Sequence, residues 1–298
     1  MNQKQMPRPL HIQYRNDSRR LIPASLVVAL AILMISLAGC AVRSPTTAGD
    51  ALKAPSQGYT PLDPLPLNAS GGYLEASNEK KLKLFPDETM RLAVGEIQSD
   101  GSISFGMAHI GNANSSYKVI LDYAKSDTKP LHFIVTPASN QSPMKLEYYS
   151  IDNKELPTLT HGQYMTTLPA YVGVALRITA DIKVLKGKVD LANMLSLGIA
   201  AQAGNITGTL TIQTLGISGE PVTSALPLPN EVSKASIQSA IQAMGTIKAK
   251  LYDKNTHIQP RFIGYYNYLG GGKDTATQVI TAIQQNCTSG PLTVTLPD

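Results

Sequence analysis

Four histidines downstream of residue 100, His109, His132, His161 and His257, are the first candidates for acid–base or metal chemistry. None stands at a metal-ligand spacing from another His, a Cys or a carboxylate, which argues against a metal centre. His109 and His132 fall in β-rich runs, His161 in a Thr-His-Gly turn and His257 just before a candidate strand. Any one could serve as a base, and the sequence prefers none. Ser218, in Leu215-Gly-Ile-Ser218-Gly-Glu220, has glycine neighbours but lacks the Gly-x-Ser-x-Gly frame of a nucleophile turn. Gly270-Gly271-Gly272-Lys273-Asp274 invites a phosphate-loop reading and fails it on spacing. The position five before Gly272 is Asn267, and Asp274 stands where a hydroxyl should hold magnesium. A strand-to-helix turn accounts for the glycines better. Asp87-Glu88 follows Pro86 and reads as the start of a turn rather than an acid/base pair. Tyr265, Tyr266 and Tyr268, with Tyr148 and Tyr149, could line a glycan or peptide groove, or stand as half-buried strand tyrosines. No cofactor motif emerges, so the chain is expected to work without a cofactor.

The two cysteines, Cys40 and Cys287, carry a sharper signal. Cys40 closes the tetrad Leu37-Ala38-Gly39-Cys40 at the end of an uncharged run over 21–39, which itself follows Lys4, Arg8, Arg15, Arg19 and Arg20. A basic segment followed by an apolar one is the layout of an export signal. The tetrad resembles the lipobox of bacterial lipoproteins, in which the cysteine thiol is acylated and the chain is cut just before it. Small residues at 38 and 39 let a peptidase approach the backbone, and the thiol is the soft nucleophile available for a diacylglycerol. The resemblance covers only the first 40 or so residues. It implies a signal peptide over 1–39, lipidation at Cys40, and attachment by two or three acyl chains at roughly 0.8 kcal/mol per buried methylene. A permanent membrane helix over 21–39 is the rival reading, since nineteen uncharged residues could just span a bilayer. By resemblance to enterobacterial sorting, Ala41 in place of Asp favours the outer membrane, at its periplasmic face or the surface. Ser18-Arg19-Arg20 leaves twin-arginine export open beside the general route. With Cys40 lipidated, Cys287 has no intrachain partner and is expected to be a structural thiol.

Charge excludes one function class. The chain carries 26 basic and 21 acidic residues, but residues 1–39 hold five of the basic and one of the acidic ones, leaving 21 against 20. That is no basic footprint, and no Lys/Arg cluster with interleaved aromatics follows, so nucleic acid is not an expected partner.

The elements that would hold these residues divide the chain into three. Residues 1–39 are the signal, and 40–72 read as a flexible tether with Pro45, Pro55, Pro61, Pro64 and Pro66 and no apolar period. An ordered arm over Tyr59 to Leu67 is the alternative. Residues 73–298 form the folded body, with a division into subdomains 73–165 and 166–298 as the alternative. Asp100-Gly101 between Arg91–Gln98 and Ile103–His109 is a strong hairpin signal. Lys118–Tyr123, Leu131–Thr136 and Lys145–Ser150 continue as short strands of a meander. Val172, Val174, Leu176, Ile178, Ala180, Ile182 and Val184 occupy every even position, with Arg177, Thr179, Asp181 and Lys183 among the odd ones, which means one long strand with one buried face. Ile206–Leu215 repeats the theme. Asp190 to Ala203 suits a short helix capped by Asp190 and ending at Gly204. Ser236–Met244 suits a helix stopped at Gly245, after which Ile247, Ala249 and Leu251 alternate as a strand. Phe262–Tyr268 reads as a strand, Thr275–Gln278 as a capping box opening a helix, and Pro291–Leu296 as a last strand. The fold class expected is α+β, mainly antiparallel sheet with long strands and a few short helices packed on it. An outer-membrane barrel is set aside, because tryptophan is absent and the other strands are short or broken by proline.

From this the chain is expected to be a lipid-anchored structural or interaction module of the envelope, whose sheet edges or tyrosines bind a protein or glycan, rather than an enzyme. The alternatives are an envelope hydrolase, whose nucleophile and histidine meet only in the fold, and a carrier of lipid or hydrophobic peptide. A hydrolase needs Ser, Asp or Cys within reach of a histidine in a cleft, and a carrier needs an apolar cavity.

Overall fold

The computed structural model describes residues 58–298 apart from 68, 70, 107–109, 141, 150–156, 271, 287–293 and 295–298. Leu37, Ala38, Gly39, Cys40, His109 and Cys287 therefore lie outside the described residues, as does most of the stretch from Pro291 to Leu296. The described chain is mainly antiparallel sheet with short helices packed on it, and the sheet curls into a half-barrel. In order it runs β1 (Gly58–Pro66), α1 (Gly71–Glu75), α2 (Asn78–Lys83), β2 (Asp87–Ile97), β3 (Ile103–Phe105), β4 (Ile110–Asn112), β5 (Ser116–Thr136) and β6 (Lys145–Tyr148). It continues with β7 (Tyr164–Val184), β8 (Lys188–Asp190), α3 (Met194–Gln202), β9 (Ile206–Leu215), β10 (Ile217–Ser218) and α4 (Glu220–Thr223). The last elements are β11 (Asn230–Glu231), α5 (Lys234–Lys250), β12 (His257–Ile258), β13 (Arg261–Asn267) and α6 (Gly272–Asn286). Among the described residues no helix is long and apolar enough to cross a membrane.

The spine is the pair β5–β7, antiparallel and uninterrupted from Ser116↔Lys183 to Val135↔Tyr164. Two short strands expected at Lys118–Tyr123 and Leu131–Thr136 are thus one strand of 21 residues. It passes through Pro130, which faces Pro169 across the ladder. On the outer edge of β5 at this point β2 has already ended, at Ser126, and β6 begins only at Phe133. On the outer edge of β7, β13 pairs only from Ala170 onward. Neither proline therefore leaves a neighbouring strand without a donor, which is the condition under which proline is tolerated inside a sheet.

Because side chains alternate, odd residues of β5 and even residues of β7 share one face, and the two larger cores lie on it, with a small cluster of Ala124, Ala175, Leu215 and Ile263 on the other. One core gathers Val119, Leu176, Ile178, Ile182 and Leu210 under α3 and α5; the other gathers Phe133, Leu168, Phe262, Val279 and Ile283 around α6. Residues 165 and 166 sit within β7, whose two halves serve both cores. Part of the stretch expected as tether is instead an edge strand: β1 pairs with β13 from Gly58↔Asn267 to Pro66↔Arg261. From Gly58 onward the ordered-arm alternative is the one found.

Three helix expectations need correction. Asp190 closes β8 and accepts from Ala192 N, while Asn193 caps α3 by accepting from Leu195 N. The helix ends beside Gly204, at φ 66°, a conformation that suits glycine. No strand resumes after Met244. The helix α5 runs through Gly245 to Lys250, because Ile237, Ala240, Met244 and Ile247 keep a helical stripe in the core. The alternation of 247, 249 and 251 was short enough to fit either period. Thr275 caps nothing: α6 already starts at Gly272, and Gln278 reaches sideways, accepting from Leu146 N and donating to Met144 O. The capping box that does form is at α5, where Ser233 Oγ accepts from Ser236 N at 3.0 Å and Ser236 Oγ accepts from Ser233 N at 2.9 Å. Ser233→Ala is expected to cost about 1 kcal/mol, read as a lower urea midpoint at unchanged slope.

Candidate functional site

The second face of the sheet holds an unusual rung. Pairing puts Arg91 of β2, Asp122 of β5, Arg177 of β7 and Gln213 of β9 side by side. Asp122 is 0 % exposed and Arg177 is 3 % exposed, although alternation alone would have left both in water. Arg177 donates Nε to Asp122 Oδ1 and Nη2 to Oδ2, both at 2.7 Å. Its remaining donors reach the Leu62 carbonyl at 2.7 Å and the Ile263 carbonyl at 3.0 Å. Tyr59 donates its hydroxyl to Asp122. Burial, then the charge of Asp122, holds the Tyr59 hydroxyl well above its usual pKa. Burial alone would lower the pKa of Arg177, but the bonded carboxylate more than offsets it and the net direction is up. Alongside, the Arg91 guanidinium stacks 3.8 Å from the Tyr171 ring centroid. Every polar group of the Asp122–Arg177 pair is thus engaged by the fold, and its work is to hold β1 and β13 against the spine.

An accessible site lies on the other side of β7, at the outer edge of β9. Val232 N donates to Gly208 O, and β11 pairs Asn230↔Leu210 and Glu231↔Thr209. Since a residue's N–H and C=O point the same way in an antiparallel ladder, even-numbered residues of β9 aim theirs away from β7. Past Leu210 the partner strand stops at Asn230, ahead of which the chain runs through Pro227-Leu228-Pro229 outside the ladder. The outward groups of Ile212 and Thr214 have no main-chain partner among the described residues. A groove of about 570 Å³ opens there, walled by Leu210, Thr211 and Ile212, by the segment from Pro227 to Asn230, and by Ser236, Ser239 and Ala240 of α5. No charged side chain lines it. Leu228, 87 % exposed, stands on its rim. A second hollow of about 250 Å³ near Tyr123 and Tyr252 differs in kind: its Glu88 and Lys248 pair with each other, and Lys248 lies 5.1 Å from the Tyr123 ring centroid.

The residues singled out from the sequence are scattered. Tyr265 is 0 % exposed within the α6 core, Tyr266 points the other way along β13, and Tyr268 lies beyond the strand end, donating to the Thr167 carbonyl. The three tyrosines do not form one binding face, because strand alternation separates neighbours. Tyr148 packs edge-on against Phe133, and Tyr149 against His132. His132 Nδ1 lies 2.9 Å from Thr167 Oγ1 on an open strand surface, and burial lowers its pKa. His161 is exposed in its turn. Ser218 and His257, 39 positions apart, are brought opposite each other in the β10–β12 pair, both exposed. Among the described residues no group of three His, Cys, Asp or Glu could hold a metal ion.

Sequence reasoning missed Asp122, Arg177 and Tyr59, and also Ile212, Leu228 and Ser239 as groove residues. The one signal on offer was Pro227-Leu228-Pro229, since sheets admit proline chiefly at their edges and bulges. No known protein family, curated protein or solved structure matches this chain.

Proposed function

We propose that this chain is a lipid-anchored lipoprotein of the bacterial envelope, held at the outer membrane through Cys40, that acts as a non-enzymatic interaction module. The observation that carries the interaction reading is the open edge of β9 beside an uncharged groove. An unpaired sheet edge is a template for another chain, and natural proteins usually blunt it with charge, proline or cover. β1 is blunted in this way by Pro61, Pro64 and Pro66, whereas Ile206–Leu215 contains neither charge nor proline. The anchor supports the same reading, since it fixes the domain near envelope partners. Mass spectrometry of the membrane-extracted protein is expected to find a chain beginning at acylated Cys40, and Cys40→Ser is expected to move the protein to the soluble fraction. An intact, unacylated Met1 in the membrane would instead mean that 21–39 stays as a membrane helix, and the lipoprotein reading would fall.

One observation favours the hydrolase reading as a second. Ser218 and His257 are cross-strand neighbours, and opposite residues of an antiparallel pair have Cβ atoms roughly 5 Å apart. Labelling by a fluorophosphonate probe that is lost in both Ser218→Ala and His257→Ala would support it. Equal labelling of the parent and both variants would sink it.

A further inference from the structure

We propose that the groove at the outer edge of β9 is a binding site for an extended, uncharged peptide segment of a partner protein, which adds a strand beside Ile212. This rests on the interaction reading above and names the chemistry of the partner.

Three features select that occupant. The first is hydrogen bonding. The outward N–H and C=O groups of Ile212 and Thr214 are two residues apart on one strand edge, the repeat at which an extended peptide presents its own bonding groups. Main-chain pairing of this kind gives affinity, and alternate side chains give selectivity. The second is charge. All twelve lining residues are uncharged, in a chain where 16% of residues carry charge. A charged side chain entering the groove would lose water and find no counter-charge, so the lining selects against it. The third is the rim. Leu228 is the most exposed large hydrophobic side chain among the described residues, and it sits between two prolines. An apolar residue of an added strand would cover it.

Side-chain hydroxyls tune the same wall. Ser233 and Ser236 are committed to capping α5, and Ser236 Oγ also donates to the Glu231 carbonyl. Ser239, one turn further along and exposed, presents its side chain to the groove without a role in the cap.

The edge can be closed without breaking the sheet. The Ile212 N–H points away from β7, so Ile212→Pro removes the outward donor and spares the β7–β9 ladder. Ile212→Val keeps the donor and tests for packing loss alone, while Ser239→Lys sets a charge in the groove from an exposed helical position. The probe is a display library of random octapeptides, selected against the full chain in detergent micelles and then measured by fluorescence anisotropy. Enriched peptides are expected to be uncharged and rich in β-branched residues. Their affinity is expected to fall about tenfold or more in Ile212→Pro and in Ser239→Lys, and to stay within about twofold in Ile212→Val. Enrichment of charged peptides, binding that ignores Ile212→Pro, or no enrichment would each overturn the proposal. A photo-crosslinker placed at Leu228 in intact cells separates this failure from failure of the interaction reading. A partner adduct that persists in Ile212→Pro would keep the interaction module and overturn strand addition; no adduct together with no peptide would overturn both.

Discussion

Arg177→Met is expected to destabilise the domain by about 3–5 kcal/mol, the largest single-residue effect anticipated here. The substitution strands the Asp122 carboxylate, which is wholly buried and would keep only the Tyr59 hydroxyl as a partner. It also takes the guanidinium from the Leu62 carbonyl and leaves the Ile263 carbonyl with only the Tyr59 hydroxyl at 3.3 Å. For a domain of this size such a loss corresponds to a fall in Tm of roughly 10 °C. The double variant Arg177→Met/Asp122→Leu removes both charges, and it is expected to be more stable than Arg177→Met alone, since no buried charge is left behind. Urea denaturation of the three proteins checks this. A single variant that matches the parent would mean that water reaches Asp122 and that the pair does not hold β1.

The second large effect is alkaline. Tyr59, Tyr73 and Tyr265 all have pKa values raised above the ordinary 10, each chiefly by burial, with the charge of Asp122 adding to the shift at Tyr59. When pH passes 10, these tyrosines ionise in the unfolded chain while remaining protonated in the folded one. The unfolded state then binds fewer protons, so stability falls as pH rises. The stabilising contribution is fully present below pH 10 and is lost above it, at about 1.4 kcal/mol per tyrosine per pH unit. These three groups alone make the domain up to about 4 kcal/mol less stable at pH 11 than at pH 9, and Tyr123 and Tyr171, also raised chiefly by burial, act in the same direction. Urea midpoints between those values should show the decline, and Tyr59→Phe should flatten its slope by about one tyrosine's share. A flat profile would show that the hydroxyls are reached by solvent in the folded state.

How much of this could be seen in the residues alone depends on the range of the interaction. The even positions from Val172 to Val184 announced their strand, because a buried face writes itself into alternation and needs no partner to be recognised. The Asp100-Gly101 hairpin was legible for a similar reason: Gly101 adopts φ 80°, a local demand met by a local residue type. The single length of β5 was hidden, since the polar stretch from Lys125 to Lys129 and Pro130 read as a break. Only the matching gap between β2 and β6 makes that proline harmless, and the gap is a property of the assembled sheet. Asp122 and Arg177 looked like solvent-facing alternates for the same reason. Their burial comes from β1 and β13 curling over the second face, and nothing within the strands that carry them records it. The groove and the Ser218–His257 juxtaposition likewise depend on registers set between distant segments.

The placement of β1 also decides how the domain meets mechanical force. A pull delivered along the chain ahead of Gly58 enters the domain at the free end of an edge strand, and such a strand can be peeled from its neighbour one rung at a time. Here the second rung is Tyr59, tied to the carboxylate buried on the spine, and Leu62 is tied to the guanidinium beside it. Peeling therefore stalls almost as soon as it starts, and tension passes from the outermost strand directly into β5 and β7. A domain hung by this end would yield under load as one body rather than fraying from its suspension point.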